Sequence, residues 1–253
     1  STFVVNRTTI GDSPLNAFSF FYRSKVVGVF GLTYQLIDYG SQEATNEAGS
    51  VTGKETDVTS ILIASFATPI ALGWSAGLNY KLYNFSASCE GLCQVGSRSG
   101  TSHMIDVGVR YVPRFLPDLT IGASLLQTGL KLQINNAAQA DVTPSRLRVG
   151  ASYNAAKLIT KDTSTAVWIN ADVVQRLHNA TSPGVNFGVE VVLDNTIFIR
   201  AGHASEAQGT SLGGNAVGLG LRYQRFDINV AKSVSSSPIF ENDPFYVTLG
   251  VTF

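Results

Sequence analysis

The last nine residues of the chain, 245–253, read FYVTLGVTF and alternate strictly between two kinds of side chain. Phenylalanine, valine and leucine occupy the odd positions, whereas tyrosine, threonine and glycine occupy the even ones. Because successive side chains of a β-strand point to opposite faces, this stretch predicts a strand with one apolar and one polar face. A strand of a soluble sandwich can show the same alternation, so the fold class depends on how often the pattern recurs.

The two-residue period recurs along the whole chain. About fourteen segments show it, and each is close to the roughly 9–11 residues of a tilted membrane strand. The first, at 3–9, is the weakest, because Arg7 shares a face with Phe3 and Val5. Their approximate centres are residues 5, 19, 31, 61, 78, 106, 124, 149, 169, 188, 199, 218, 230 and 249. The sequence therefore predicts an all-β protein, a closed antiparallel transmembrane β-barrel in a single domain, 1–253.

Composition excludes several other classes of protein. The 18 basic and 18 acidic side chains balance, which argues against nucleic acid as a partner. Charged residues make up 14% of the chain, below the roughly 25% of soluble domains. No apolar run approaches the ~18 residues of a membrane-spanning helix. A membrane protein of this composition has to be a barrel, because only helices and closed barrels satisfy their backbone polar groups in lipid.

The connections between the predicted strands mostly alternate in length. Short turns are expected at 67–71 and 113–117, and at the pairs 194–195 and 224–225; the connection at 154–164 is longer than its place predicts. Polar, longer loops are expected at 40–54, 87–99, 130–143, 204–213 and 235–243. Bacterial outer-membrane barrels have short periplasmic turns and long extracellular loops. We therefore expect a bacterial outer-membrane location, with both termini on the periplasmic side.

The two faces of the predicted strands differ in a way that favours lipid outside and water inside. The apolar face often ends in an aromatic residue, as the girdles of membrane barrels do: Tyr80, Tyr111, Tyr153, Tyr223 and Phe253. Phe253 also suits the terminal signal that the outer-membrane assembly machinery recognises. The polar face mixes glycine and serine with isolated charges of both signs. A soluble all-β sandwich, with the apolar face inward, is the alternative.

Ten charged residues fall on the face predicted to line the lumen. They are Lys81, Asp106, Arg110, Arg146, Arg148, Asp172, Glu190, Arg200, Arg222 and Asp227. One interpretation is mutual pairing across the lumen or with an inserted plug, because buried charges without partners are costly. The other is selectivity for ions or solutes. Arg110, Arg146 and Arg148 lie on strands near Asp106, so some pairing with that carboxylate is expected.

The two cysteines, Cys89 and Cys93, lie within a predicted external loop. Three residues separate them, one more than in a redox CxxC motif, and no βαβ pattern surrounds them. A disulfide that staples the loop fits an oxidising compartment, and Gly91 would help so short a loop to close. Free thiols and a redox or metal role are the alternatives.

No catalytic or cofactor motif is visible in the sequence. Ser102 and His103 are neighbours on a predicted strand, so their side chains should point to opposite faces and cannot act as a pair. Nucleophile-elbow, HExxH, P-loop and dinucleotide-binding patterns are all missing. We therefore expect no enzyme, no cofactor and no metal.

Three stretches resemble the FadL-like superfamily of outer-membrane barrels, and within it the PorV/PorQ-type group. They are residues 29–40 (VFGLTYQLIDYG), residues 74–81 (WSAGLNYK), and the hairpin of 106–111 with 119–129, in which Gln127 stands where asparagine is more usual. The resemblance implies a fourteen-stranded barrel. It also implies an N-terminal hatch segment with an Asn-Pro-Ala motif, which does not occur here. A hatch segment, if there is one, is expected before residue 1.

Two functions follow from the resemblance and the lumen. The first is a conduit for small or hydrophobic solutes. The second is a PorV-like barrel that transports nothing and binds other outer-membrane, secreted or surface proteins through loops such as 40–54, 130–143 and 204–213, or self-associates as a homo-oligomer. The expected partners are outer-membrane lipid, the assembly machinery and a protein at the external loops. The sequence leaves both functions open.

Overall fold

The structure, a computed structural model, describes residues 1–10, 13–93, 96–134, 140–159, 164–178, 182–205, 214–234 and 243–253. Within these ranges fourteen antiparallel strands form one closed barrel, which confirms the predicted fold class. The strands are β1 (Thr2–Ile10), β2 (Ser13–Arg23), β3 (Val29–Thr45), β4 (Val51–Ala71), β5 (Trp74–Gly91), β6 (Arg98–Tyr111), β7 (Leu119–Gly129), β8 (Arg146–Asn154), β9 (Thr165–Arg176), β10 (Gly184–Leu193), β11 (Ile197–Ala204), β12 (Gly214–Tyr223), β13 (Phe226–Ser233) and β14 (Phe245–Thr252). A short helix, α1 (Ala156–Ile159), lies between β8 and β9. No helix in these ranges is long and apolar enough to cross a membrane.

The barrel closes between its first and last strands. In the β1–β14 pairing Thr2 lies opposite Thr252, and the amino group of Ser1 donates a hydrogen bond of 3.1 Å to the carbonyl of Phe253. Both chain ends therefore lie at one end of the barrel, here called the turn end. The tight turns at Leu72–Gly73, 194–195 and 224–225 lie there too, and their first residues have positive φ, as hairpin turns require. The opposite end is called the loop end.

The outer wall of the barrel is apolar. Side chains of one parity point outward and are exposed, such as Leu219 at 57% and Phe187 at 59%. Aromatic residues mark the turn end, where the rings of Trp74 and Tyr111 stack with their centroids 4.5 Å apart. Exposure of apolar side chains on this scale is expected only where lipid replaces water, and aromatic girdles flank the lipid-facing band of membrane barrels.

The strands differ in length around the barrel. From β3 to β6 they contain 17, 21, 18 and 14 residues, and we call this the tall wall. From β8 to β14 they contain 8–12 residues, and we call this the short wall. The tall wall therefore extends beyond the short wall at the loop end.

Several predicted loop boundaries are wrong at the tall wall. Most of 40–54 and 87–99 is strand, and the turn predicted at 67–71 lies at Leu72–Gly73. The extended strands are polar on both faces, so they lack the alternation that reveals a membrane strand. Backbone pairing and the ion pair between Arg98 and Glu55, at 2.9 Å, hold them together. The predicted loops at 204–213 and 235–243 lie largely outside the described residues.

Candidate functional site: the barrel lumen

All ten charged residues predicted to line the lumen lie on the face opposite the exposed apolar side chains. Eight of them form four ion pairs. These are Lys81–Asp106 at 2.7 Å, Arg148–Asp172 at 2.5 Å, Arg200–Glu190 at 2.5 Å and Arg222–Asp227 at 2.6 Å. Arg110 and Arg146 are the two that remain. The lumen is therefore largely, but not fully, neutralised by its own side chains.

Asp106 is the most buried of these charges, with 5% of its surface exposed. It accepts hydrogen bonds from the side chain of Asn79, at 3.0 Å, and from the backbone N–H of Gln127, at 2.7 Å, in addition to the pair with Lys81. The second bond depends on a β-bulge, in which Leu126 and Gln127 together oppose Asp106 and Gln127 takes a φ of 54°. The bulge thus turns a backbone donor toward the carboxylate.

The expected pairing of Asp106 with nearby arginines is wrong. Arg110 instead donates to the hydroxyl of Thr120 at 3.3 Å, and Arg148 pairs with Asp172. Arg110 is four residues from Asp106 on the same strand, which places it about 13 Å further along β6. Lys81 is on the adjacent strand β5, two residues from Asn79, which lies directly opposite Asp106, and its long flexible side chain reaches the carboxylate.

The short wall carries a connected polar network. The guanidinium of Arg200 donates to Glu190 and also to the side-chain oxygen of Asn229, at 2.7 Å. The ring of Phe198, 8% exposed, lies beneath two guanidinium groups, with centroid distances of 5.1 Å to Arg200 and 5.0 Å to Arg222. Sequence reasoning missed Phe198, although it has the same parity as Arg200 on β11. These contacts hold the cations of the short wall in place.

The loop end of β8 and β9 is arranged differently. Arg146, the first residue of β8, lies directly opposite Arg176, the last residue of β9. Arg146 donates two hydrogen bonds to the neutral side-chain oxygen of Gln127, at 2.6 and 3.1 Å. Among the described residues no carboxylate lies within ion-pair distance of either arginine. Sequence reasoning missed Arg176, which shares the parity of Asp172 but lies at the very end of its strand.

The connection between β7 and β8 is described at 130–134 and 140–145, and these residues fold against the inner face of the tall wall. The hydroxyl of Ser102 donates to the carbonyl of Leu130 at 2.5 Å, and Leu132 and Asp141 form an isolated β-bridge. Thr143 and Ser145 are buried. We call this connection the inward loop. It covers a cavity of about 290 Å³ lined mainly by apolar side chains, among them Ile61, Ile63, Tyr83, Met104, Leu132 and Val142.

Two larger cavities, of about 830 and 700 Å³, lie within the lumen. They adjoin, because Arg110, Thr120, Ser152 and Asn170 line both. Glycine, serine and alanine supply much of the remaining lining on the inner face. At Gly31, for instance, an added Cβ would lie 2.8 Å from the ring of Phe21, so small residues preserve the space. The result is a wide interior lined largely by small residues, with polar and charged side chains among them.

The disulfide between Cys89 and Cys93 is formed, which confirms the predicted staple. It lies at the tip of the tall wall, where β5 ends at Gly91. Ser102 and His103 point to opposite sides of the barrel wall, as expected. Ser102 is buried inside, whereas His103 lies outside and its Nδ1 atom is 2.5 Å from the hydroxyl of Tyr80. These two side chains cannot act as a catalytic pair.

A closed antiparallel barrel with an apolar exterior and a charged interior has the architecture of outer-membrane channel proteins. No protein-family model and no curated protein matches the chain. Solved structures do, among them the toluene transporter TodX of Pseudomonas putida, with a TM-score of 0.56 and 10% identity over 98% of this chain and 86% of that one. A FadL homologue of Pseudomonas aeruginosa gives 0.51 and 10% identity over 99% and 88%. Omp33 of Acinetobacter baumannii gives 0.52 and 9% identity over 100% and 97%. At these identities the likeness concerns the fold, and the resemblance to the PorV/PorQ-type group stays a prediction.

Proposed function

We propose that this chain is a bacterial outer-membrane channel that lets small polar solutes cross, with its turn end and both termini in the periplasm. The observation that carries the proposal is the pair of adjoining lumen cavities, whose shared lining is Arg110, Thr120, Ser152 and Asn170. A lumen of this polarity holds water more readily than an apolar compound. Fourteen strands also enclose more space than the eight whose interior side chains just fill.

The side chains on the inner face favour polar over hydrophobic cargo for the main passage. Binding sites for hydrophobic compounds are lined mostly by apolar and aromatic side chains. In the two large cavities Leu126 and Trp168 are among the few large apolar groups on the inner face. A hydrophobic compound would have to pass arginines and carboxylates there. It would displace water from these charged groups, which costs free energy.

One observation favours a second candidate function, the uptake of small hydrophobic compounds. The cavity beneath the inward loop is lined by several large apolar side chains and, at about 290 Å³, has room for a compound of about the size of a single aromatic ring. It lies at the loop end, where a compound would arrive from outside. Lys81 and Asp141 at its edge are the charged groups that such a compound would meet.

Liposome swelling separates the candidates. Vesicles containing the folded barrel should swell in a neutral sugar faster than empty vesicles. Gly108→Trp with Gly188→Trp fills the two large cavities and should slow the swelling. Its control is Val107→Trp with Val189→Trp, on the outer wall one residue away. Folded wild-type barrel with the swelling rate of empty vesicles would reject the polar channel, and toluene uptake in the same vesicles would then favour the second candidate.

A further inference from the structure

Two like charges face each other at the loop end of the lumen. Arg146 and Arg176 are directly opposite in the β8–β9 register and share the inward face. Like charges directly opposite on neighbouring strands destabilise a sheet. Arg148, two residues further along β8, adds to the repulsion felt by Arg146, and Asp106 offsets part of it. The arrangement therefore concentrates positive charge at one point of the loop end of the barrel.

Neighbouring side chains leave this charge unbalanced. The nearest carboxylate on β9, Asp172, is already engaged by Arg148 and by the amide of Asn186, at 2.8 Å. Gln127 accepts two hydrogen bonds from Arg146 and orients its guanidinium, but it carries no charge. Both arginines are exposed. Among the described inward cations, four have their own carboxylate, namely Lys81, Arg148, Arg200 and Arg222. Arg110, nearer the turn end, donates to the hydroxyl of Thr120 instead.

The chemistry of the two side chains defines what would bind. A guanidinium presents a planar fork of donors that matches carboxylates and phosphates. Two forks on adjacent strands suit an anion with two negative charges more than one with a single charge. The site lies beside the inward loop, so a solute entering from the loop end meets it before the polar cavities below. A cleft of one sign of charge also raises the local concentration of the opposite ion.

We propose that Arg146 and Arg176 form a binding site for small, doubly charged oxyanions, such as dicarboxylates or phosphate. The proposal deepens the channel function and rests on it, because it names the class of solute that the mouth attracts. Gln127 is a positioning residue that fixes the guanidinium of Arg146. The bound oxyanion supplies the counter-charge that no carboxylate of the described residues provides to these two arginines.

Calorimetric titration of the detergent-solubilised barrel tests the site whether or not the pore conducts. The probes are succinate and phosphate, with singly charged acetate for comparison. Arg146→Gln with Arg176→Gln should weaken binding of the doubly charged probes about tenfold or more, as expected for lost hydrogen bonds between charged groups. Arg7→Gln with Lys232→Gln removes the same charge from exposed positions on the outer wall and should leave binding unchanged.

Bilayer recordings on the same three proteins keep the two claims apart. The wild-type channel should prefer chloride over potassium in a KCl gradient, and the inner double variant should lose most of that preference while still conducting. A folded barrel that binds succinate but never conducts defeats the channel function alone. Equal binding in all three proteins, or no binding to the wild type, overturns the oxyanion site.

Discussion

Inward arginines have carboxylate partners in one part of the lumen and lack them, among the described residues, in another. On β10 to β13, Arg200 and Arg222 each contact a carboxylate and flank the ring of Phe198. At the loop end of β8 and β9, Arg146 and Arg176 face each other without an acid among the described residues. On the short wall, therefore, carboxylates neutralise the inward cations that contact neighbouring strands. Under the proposed function, the paired charges stabilise the barrel wall and the unpaired ones are available to a solute.

The largest effect is expected where a paired charge is most buried. Asp106→Ala would leave Lys81 without its partner and the N–H of Gln127 without an acceptor. Breaking a buried pair from one side costs about 3–5 kcal/mol. The folded barrel should therefore unfold at a clearly lower urea concentration, measured by heat-modifiable migration and tryptophan fluorescence. Asp106→Asn, which keeps an acceptor, should lose less. An unchanged midpoint for the alanine variant would contradict the role of this carboxylate.

A second variant leaves an arginine of the short wall without a carboxylate, as Arg146 is at the loop end. Glu190→Gln frees the cation of Arg200 while keeping the shape of the side chain. Because the pair is partly exposed, the stability loss should be about 1 kcal/mol or less. The preference for chloride should rise, since one more cation faces the lumen. The zero-current potential in a KCl gradient measures it, with the exposed Glu47→Gln outside the lumen as control. A preference that stays at the wild-type value would show that Arg200 does not contact permeating ions.

A third variant removes a paired couple completely. Arg222 and Asp227 are 43% and 28% exposed at the side chain, so their attraction is screened by water. Arg222→Gln with Asp227→Asn should change the free energy of unfolding by less than about 1 kcal/mol. Selectivity should not change, because the net charge of the lumen is the same. A loss above about 2 kcal/mol would mean that the contact of Arg222 with Phe198 matters more than the ion pair.

The smallest effect is expected at the disulfide. Cys89→Ser with Cys93→Ser alters the tip of the tall wall, away from the charged lumen. Conductance and ion preference should stay at wild-type values in bilayer recordings, with or without reductant. A changed conductance would mean that the tip of the tall wall affects the passage of ions. Conduction would then not depend on the charges of the two lumen regions alone.

Much of this architecture was predictable, because in a membrane barrel the side chains of every strand alternate between lipid and lumen. The parity of side chains such as Arg148 and Glu190 placed them inside, and the two-residue period gave the strand number. The extended strands near Glu55 escaped prediction because both of their faces meet water. The backbone donor of Asp106 escaped prediction because a bulge at Gln127 changes the β6–β7 register, and no periodic pattern reveals a bulge. Arg176 escaped because it lies where the alternation ends.

The central claim is that the lumen is an aqueous passage, and thiol accessibility tests it most directly. Both native cysteines are joined in the disulfide, so Asn170→Cys would carry the single free thiol, on the lining shared by both large cavities. A membrane-impermeant, negatively charged thiol reagent should react from either side of a bilayer and lower the conductance. Leu219→Cys, which points outward into lipid, should not react. An unreactive Asn170→Cys in a folded barrel would contradict the aqueous passage.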